Sequence, residues 1–146
     1  MRVQFLLGAP RKNQMVYVMP ALWLLLGRVL LAAIFVVSGF NKLVNFEQSA
    51  AYIANANLPA PDLLLVMAAL IELVGGVLIV VGYKARWAAL MIFVFLIPVT
   101  YTFHAFWSVE ADQLQQQTIQ FQKNLTIMGG MLYIAVNGPG RYSVGE

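Results

Sequence analysis

Residues 63–81 read LLLVMAALIELVGGVLIVV, and this stretch decides the class of the fold because Glu72 is its only charged residue. A helix needs about 20 mostly apolar residues to cross about 30 Å of hydrocarbon. The stretch follows Pro59-Ala60-Pro61-Asp62, a helix-start pattern in which Asp62 is the expected N-cap. It therefore predicts a transmembrane helix that begins near residue 62.

Three further runs are candidates for membrane-crossing helices. Residues 21–40 contain one charge, Arg28, and follow Pro20, a residue that suits a helix start. Residues 87–107 begin and end with tryptophan, which is enriched at membrane interfaces. Residues 119–137 form the weakest run because polar residues occupy its start. The sequence Gly138-Pro139-Gly140 then stops this last helix.

The composition of the 146-residue chain agrees with a membrane protein. Hydrophobic residues make up 61% of the sequence and charged residues 10%, whereas an ordinary soluble domain has about 45–50% and about 25%. A cytosolic enzyme, a disordered chain and a nucleic-acid-binding protein are therefore excluded. We expect an all-α membrane protein in which residues 21–146 form an antiparallel bundle of four transmembrane helices. Residues 1–20 are expected to form a cytoplasmic N-terminal segment.

Lysine and arginine are distributed unevenly between the two ends of this bundle. Two of them, Lys42 and Lys123, fall at one end, and six fall at the end with both termini and the turn at residues 82–86. These six are Arg2, Arg11, Lys12, Lys84, Arg86 and Arg141. Because cytoplasmic loops carry the excess of positive charge, we expect both termini in the cytoplasm, with the protein in the inner membrane of a bacterium. Residues 46–56 have a helical pattern and are expected to lie on the outer bilayer surface.

Two ionisable residues, Arg28 and Glu72, fall inside the predicted crossing runs. A charge there costs about 2.5–3.5 kcal/mol on insertion scales, so each needs a partner. Their similar depths on antiparallel helices favour a buried Arg28–Glu72 ion pair. Helical side chains lean toward their own N-terminus, which would draw these two apart, and Tyr101 or Thr100 is then the alternative partner of Glu72. Such a pair either fixes the register of the helices or handles a proton or a substrate.

Polar and aromatic residues converge at the predicted outer end of the bundle. A rim of this kind can hydrogen-bond the carbonyl groups of a quinone, and a histidine in it can supply a proton at neutral pH. An ordinary interfacial belt of aromatic residues and lysines has the same composition. The candidate rim consists of Asn41, Tyr101, His104, Trp107, Lys123 and Asn124.

The residue counts limit the chemistry that the chain can perform alone. Cysteine is absent and His104 is the one histidine. These counts exclude a thiolate nucleophile, an iron–sulfur cluster, a haem with two histidine ligands in one chain and the usual zinc site. We expect no metal and no covalently bound cofactor, with a quinone as the candidate ligand. No catalytic residue is identified, and the chain is not expected to be an enzyme by itself.

The order of motifs resembles the DoxX family over residues 22–144. The resemblance rests on several short pieces that occur in sequence, although the tail has Gly145 where the family usually has an aspartate. The pieces are Gly27-Arg28, Phe35, Ser38-Gly39, Lys42-Leu43, the Glu72–Gly76 segment leading to Gly82, His104, Phe106-Trp107, Phe121, Lys123-Asn124, Gly129-Gly130, Gly138-Pro139-Gly140 and Ser143.

The resemblance implies a small four-helix inner-membrane protein. The name DoxX comes from a subunit of a thiosulfate:quinone oxidoreductase. The first expectation is a membrane subunit that supplies an anchor and part of a quinone pocket to a partner redox subunit. The alternative is a non-catalytic scaffold or assembly protein. A third function is a small-molecule or proton carrier that acts as an oligomer, with Arg28 and Glu72 as its gate. The expected partners are the lipid bilayer and either a redox protein or a second copy of the chain, but no nucleic acid.

Overall fold

A computed structural model describes residues 11–145 of the chain, with side-chain burial from residue 20 onward. These residues form five α-helices, joined by short turns, and a 3₁₀ turn at Phe106–Ser108. The helices are α1 (Arg11–Val44), α2 (Phe46–Asn55), α3 (Pro61–Val81), α4 (Ala85–Phe103) and α5 (Ala111–Asn137). Arg2 and Glu146 lie outside the described residues.

Three helical segments are long and apolar enough to cross a membrane: Pro20–Val44, Pro61–Val81 and Ala85–Ser108. The prediction of an all-α protein with transmembrane helices is therefore confirmed. The fifth helix, α5, does not meet this standard because glutamines fill its first half. The predicted helix in the connection after α1 is present as α2, with Ala50 and Ile53 as its buried residues.

One predicted helix start and one predicted N-cap were wrong. α1 begins at Arg11 and continues through Pro20, so Pro20 lies inside the helix rather than at its start. α3 begins at Pro61, whose fixed φ suits the first helical position, and Ala60 rather than Asp62 is the N-cap. Asp62 instead lies in the first turn of α3, where its negative charge interacts favourably with the helix dipole.

α1 and α3 approach each other closely at two glycines. A Cβ atom built on Gly39 would lie 2.7 Å from the Leu73 backbone nitrogen and 2.8 Å from the Ala69 carbonyl oxygen. A Cβ atom on Gly76 would lie 2.9 Å from a methyl group of Val36. Small residues allow such close packing, which holds helices together where lipid supplies no hydrophobic force between them. The register of α1 against α3 is therefore fixed at these two contacts.

The helices form an open arrangement rather than a closed ring. α1 packs on α3, α3 on α4, and α4 on α5, whereas α1 and α5 meet at few positions. One such position is Leu31, whose side chain lies against Gly130. The buried core joins α1, α3, α4 and α5, and includes Ala32, Ile79, Ile92 and Met131. The weak seam between α1 and α5 leaves open space on both sides of the Leu31–Gly130 contact.

The C-terminal tail folds back on the end of the bundle where α3 joins α4. The Val144 amide donates to the Val81 carbonyl over 3.1 Å, and the Lys84 amide donates to the Gly145 carbonyl over 3.1 Å. Gly82 has a φ of +75°, and an added Cβ atom there would lie 2.6 Å from the Ser143 Cβ atom. The end of α5 therefore lies at the same end of the bundle as the start of α4.

We expect Gly39→Ala to lower the stability of the protein by about 1–3 kcal/mol, because the new methyl group overlaps the backbone of α3. Gly129 is the matched control: it lies in α5, and an added Cβ atom would contact nothing within 4 Å. Gly129→Ala should leave stability unchanged or raise it by up to about 1 kcal/mol through helix propensity. Unfolding by titrated SDS in mixed micelles measures both. Equal effects of the two substitutions would contradict the tight α1–α3 contact.

Candidate functional site

A cavity of about 690 Å³ lies between the helices and is partly open at the surface of the bundle. Its lining is mostly apolar, and most of its polar side chains belong to two walls, one from α1 and α3 and the other from α4 and α5. The apolar lining includes Ile34, Phe35, Phe95, Leu96, Val99, Phe103 and Ile127, and the polar lining includes Ser38, Lys42, Gln48, Ser49, Glu72, His104, Lys123 and Asn124.

An ion pair between α1 and α3 forms the first polar wall. The Lys42 ammonium donates to the Glu72 carboxylate and to the Ser38 hydroxyl, each over 2.7 Å. Ser38 and Lys42 are four residues apart, so they lie on one face of α1. The Glu72 side chain is 9% exposed and that of Lys42 28%. An ammonium has three N–H donors, and these contacts use two of them, which leaves one for a ligand.

The predicted Arg28–Glu72 pair was wrong, although both residues are buried as expected. Arg28 instead donates to the carbonyl oxygens of Val80, Tyr142 and Pro139. Val80 is eight residues beyond Glu72, about 12 Å along the axis of α3. The α1–α3 register therefore places Arg28 at the end of α3, while Lys42, which was not considered as a partner, faces Glu72. The alternative partners Tyr101 and Thr100 do not bind Glu72 either.

The second polar wall comes from the end of α4 and the facing part of α5. The Asn124 amide donates to the Thr100 hydroxyl over 2.9 Å, and both side chains are buried. His104 Nδ1 lies 3.0 Å from Gln117 Oε1. Lys123 lines the cavity beside Asn124. An amide nitrogen has two N–H donors, so Asn124 keeps one that the contact with Thr100 does not use.

The structure brings together half of the predicted rim. His104, Lys123 and Asn124 line the cavity, whereas Tyr101 and Trp107 do not. Residues 101, 104 and 107 do not share one helical face, because α4 ends at Phe103 and Trp107 lies in the 3₁₀ turn. The exposed rings of Tyr101 and Trp107 instead contact each other, with centroids 5.7 Å apart.

Asn41 also lies outside the cavity. It is exposed and borders a shallower depression between α1 and α2, together with Val37 and Asn45. Asn41 and Lys42 are neighbours in sequence, so their side chains point in directions that differ by about 100° around the axis of α1. Lys42, the next residue in the sequence, lines the cavity instead.

The helix α2 covers one side of the cavity. Its residues Gln48, Ser49, Tyr52 and Ile53 contribute to the lining. Tyr52 stacks on Phe103 of α4, with ring centroids 5.3 Å apart and an interplanar angle of 22°. α2 packs mainly on α3, and its buried residues form a small apolar cluster with Leu65. The cavity is thus lined by α2 and by all four long helices.

This arrangement suits a flat apolar molecule that carries hydrogen-bond acceptors. Unused N–H donors of Lys42 and Asn124 border the cavity, and the aromatic and aliphatic side chains provide an apolar lining. Within residues 11–145, no three histidine, aspartate or glutamate side chains are grouped as metal ligands would be. The fold and the cavity together define a helical membrane protein with a cavity between its helices.

Comparison with known proteins gives the family. The DoxX family model matches residues 23–105, which is more than half of the chain and includes Lys42 and Glu72. The inner membrane protein YphA of Escherichia coli strain K12 is 31% identical over 121 residues, which cover 83% of this chain and 86% of that protein. This chain belongs to the DoxX family, as the resemblance implied.

Two further relatives extend the comparison. The inner membrane protein YqjF of Escherichia coli strain K12 is 32% identical over 120 residues, which cover 82% of this chain and 87% of that protein. The Surfeit locus protein 4 homolog of Schizosaccharomyces pombe is 34% identical over 71 residues, which cover 47% of this chain and 24% of that protein. No solved structure matches the chain.

A double-mutant cycle tests the Lys42–Glu72 pair. Lys42→Met and Glu72→Gln should each destabilise the protein, since each leaves a charge without its partner. The double variant should recover a coupling energy of roughly 1–3 kcal/mol, below the 3–5 kcal/mol cost of breaking fully buried pairs because Lys42 is partly exposed. Unfolding in mixed micelles measures all four proteins. The matched cycle of Arg28→Met with Glu72→Gln should be additive, and additivity for Lys42 with Glu72 would refute the pair.

Proposed function

We propose that this protein is an inner-membrane subunit of a quinone-linked oxidoreductase and that its cavity binds the quinone head group. The observation that carries the proposal is the cavity itself, which has a mostly apolar lining and hydrogen-bond donors on two of its walls. A quinone ring is flat and apolar, and it bears two carbonyl acceptors. Lys42 and Asn124 have the N–H groups that such acceptors need.

His104 supports the same proposal because it borders the cavity and an imidazole ring can donate a proton to a ligand oxygen. A quinone that gains electrons takes up protons, and a donor within reach of its oxygen assists this step. Gln117 holds Nδ1 of His104, which orients the ring. In this proposal Lys42 and Asn124 position the head group, and His104 supplies a proton.

The electrons would come from a partner. The chain has no cysteine and one histidine, so it has no ligands for a cysteine-held iron–sulfur cluster or for a haem with two histidine ligands. The protein then acts as the anchor and part of the quinone pocket for a redox subunit. The inner membrane is the proposed location because YphA and YqjF are inner membrane proteins.

Four membrane crossings are part of the proposal, with both termini in the cytoplasm. α5 runs back along α4: its early residue Gln117 contacts His104 at the end of α4, and its last turn accepts hydrogen bonds from Arg86 at the start of α4. If α4 crosses the bilayer, its antiparallel neighbour α5 crosses with it. The polar residues Lys123 and Asn124 are compatible with a crossing because they line the cavity.

Ligand-dependent stability tests the quinone site. A ligand that binds the native state at about 100 times its Kd stabilises it by about 2.7 kcal/mol, so a short-chain quinone should raise the melting temperature of the detergent-solubilised protein. His104→Ala and Lys42→Met should each reduce this rise. Lys84→Met is the control, since Lys84 is an exposed lysine at the opposite end of the bundle. No rise with any quinone would favour the scaffold function instead.

Labelling of single cysteines tests the topology, and the absence of native cysteine gives a clean background. A cysteine at Lys84 should be protected from a membrane-impermeant thiol reagent in intact spheroplasts. A cysteine at Gln115, near the start of α5, should react. A cysteine at Ser143 in the C-terminal tail should behave like the one at Lys84. Reaction at both Gln115 and Ser143 would show that α5 does not cross.

A further inference from the structure

A second concave surface lies on the other side of the Leu31–Gly130 contact, separate from the cavity. This inner groove has a volume of about 250 Å³ and runs between α1 and α5 to the C-terminal tail. Trp23 and Leu24 form one edge, Tyr133 forms the other, and Arg28 and Pro139 border its end. Trp23 is 65% exposed and Tyr133 61%, so the edges of the groove face the surroundings of the bundle.

Arg28 is the unusual residue of the inner groove. It is 4% exposed, and its two terminal nitrogens donate to three backbone carbonyl oxygens. Its Nε atom is buried without a hydrogen-bond partner among the described residues. Within residues 11–145 the guanidinium also forms no salt bridge with a carboxylate, since the ion pair found there joins Lys42 to Glu72. A buried cation that is hydrogen-bonded only to neutral groups keeps its full charge available to an anion.

Among residues 11–145, the charges around the groove have one sign. Lys84, Arg86 and Arg141 lie at the same end of the bundle as Arg28. The carboxylates of the described residues all lie toward the opposite end: Glu47, Asp62, Glu72, Glu110 and Asp112. An anion in the groove would therefore meet attractive charges and no nearby repulsive carboxylate from residues 11–145.

The level of Arg28 and the apolar edges of the groove indicate what kind of anion fits. Arg28 is level with Val80 and Pro139, where α3 and α5 end and the polar turns begin. Lipid head groups lie at this level of a membrane protein, with acyl chains beside the helices below. Guanidinium binds phosphate well because it is weakly hydrated and always charged. We propose that the inner groove binds an anionic phospholipid, with its phosphodiester at Arg28 and its acyl chain along Leu31 and Tyr133.

Gly27 allows the groove to be filled without disturbing the protein. A Cβ atom built on Gly27 would contact nothing within 4 Å, and Gly27 lines the groove. Gly129 is the matched control, because its Cβ position is equally free and it does not line the groove. Gly27→Leu should therefore exclude the lipid, whereas Gly129→Leu should not.

Tryptophan fluorescence reports occupancy because Trp23 forms one edge of the groove. Trp87→Phe and Trp107→Phe leave Trp23 as the single tryptophan. The full chain is reconstituted in phosphatidylcholine vesicles that contain a minor fraction of dibrominated phosphatidylglycerol or, in parallel, dibrominated phosphatidylcholine. We expect the apparent affinity at Trp23 to favour the anionic lipid about fivefold, which is about 1 kcal/mol for one lipid phosphate near a cationic side chain.

The variants and a phosphate arm decide between outcomes. Gly27→Leu should bring the preference for the anionic lipid to about one, and Gly129→Leu should retain it. Inorganic phosphate at millimolar concentration should not displace the lipid. Equal quenching by the two lipids in the parent protein, or a preference that survives Gly27→Leu, would overturn the proposal. Full displacement by inorganic phosphate would overturn the lipid assignment in favour of a site for a free anion.

Discussion

The close contact of α1 with α3 at Gly39 and Gly76 is the constraint on which the rest of the structure depends. No side chain lies between the two backbones at Gly39. If the register moved, a residue with a side chain would take the place of Gly39 and clash with the backbone at Leu73. That register places Lys42 opposite Glu72 and Arg28 opposite the last turn of α3. The distribution of the buried charges therefore follows from backbone packing, because a long cationic side chain can only use acceptors at its own level.

Two cations of α1, the buried Arg28 and the partly buried Lys42, offset the cost of desolvation in different ways. Lys42 has a carboxylate and a hydroxyl, so its charge is neutralised within the cavity wall. Arg28 has only carbonyl oxygens, and two of them belong to the C-terminal tail. Carbonyl dipoles stabilise a cation without removing its net charge. The tail is thereby attached to α1, and the end of the bundle with Arg28 remains positive while the end with the cavity contains the carboxylates.

The sequence predicted the class of the fold because hydropathy alone identifies long apolar helices. It also predicted that Arg28 and Glu72 are buried and need partners, since charged residues in apolar runs are costly. The pairing could not be predicted, because a depth estimate from each helix end carries an error of several residues, and α1 begins ten residues before Ala21. For the same reason Lys42 was assigned only to one end of the bundle and was not identified as the partner of Glu72. His104 and Trp107 were separated by a chain turn after Phe103, a feature without a glycine or proline to mark it.

The low hydropathy of α5 follows from what its side chains touch. Its glutamine-rich first turns lie beside the 3₁₀ turn and His104, and Lys123 and Asn124 line the cavity. From Leu125 onward the helix is mostly apolar and packs against α4, with Ile127, Met131 and Ile134 buried. A helix of 27 residues is about 40 Å long, which exceeds the hydrocarbon thickness of about 30 Å. Its polar start can therefore lie in the interface while its apolar remainder accompanies α4.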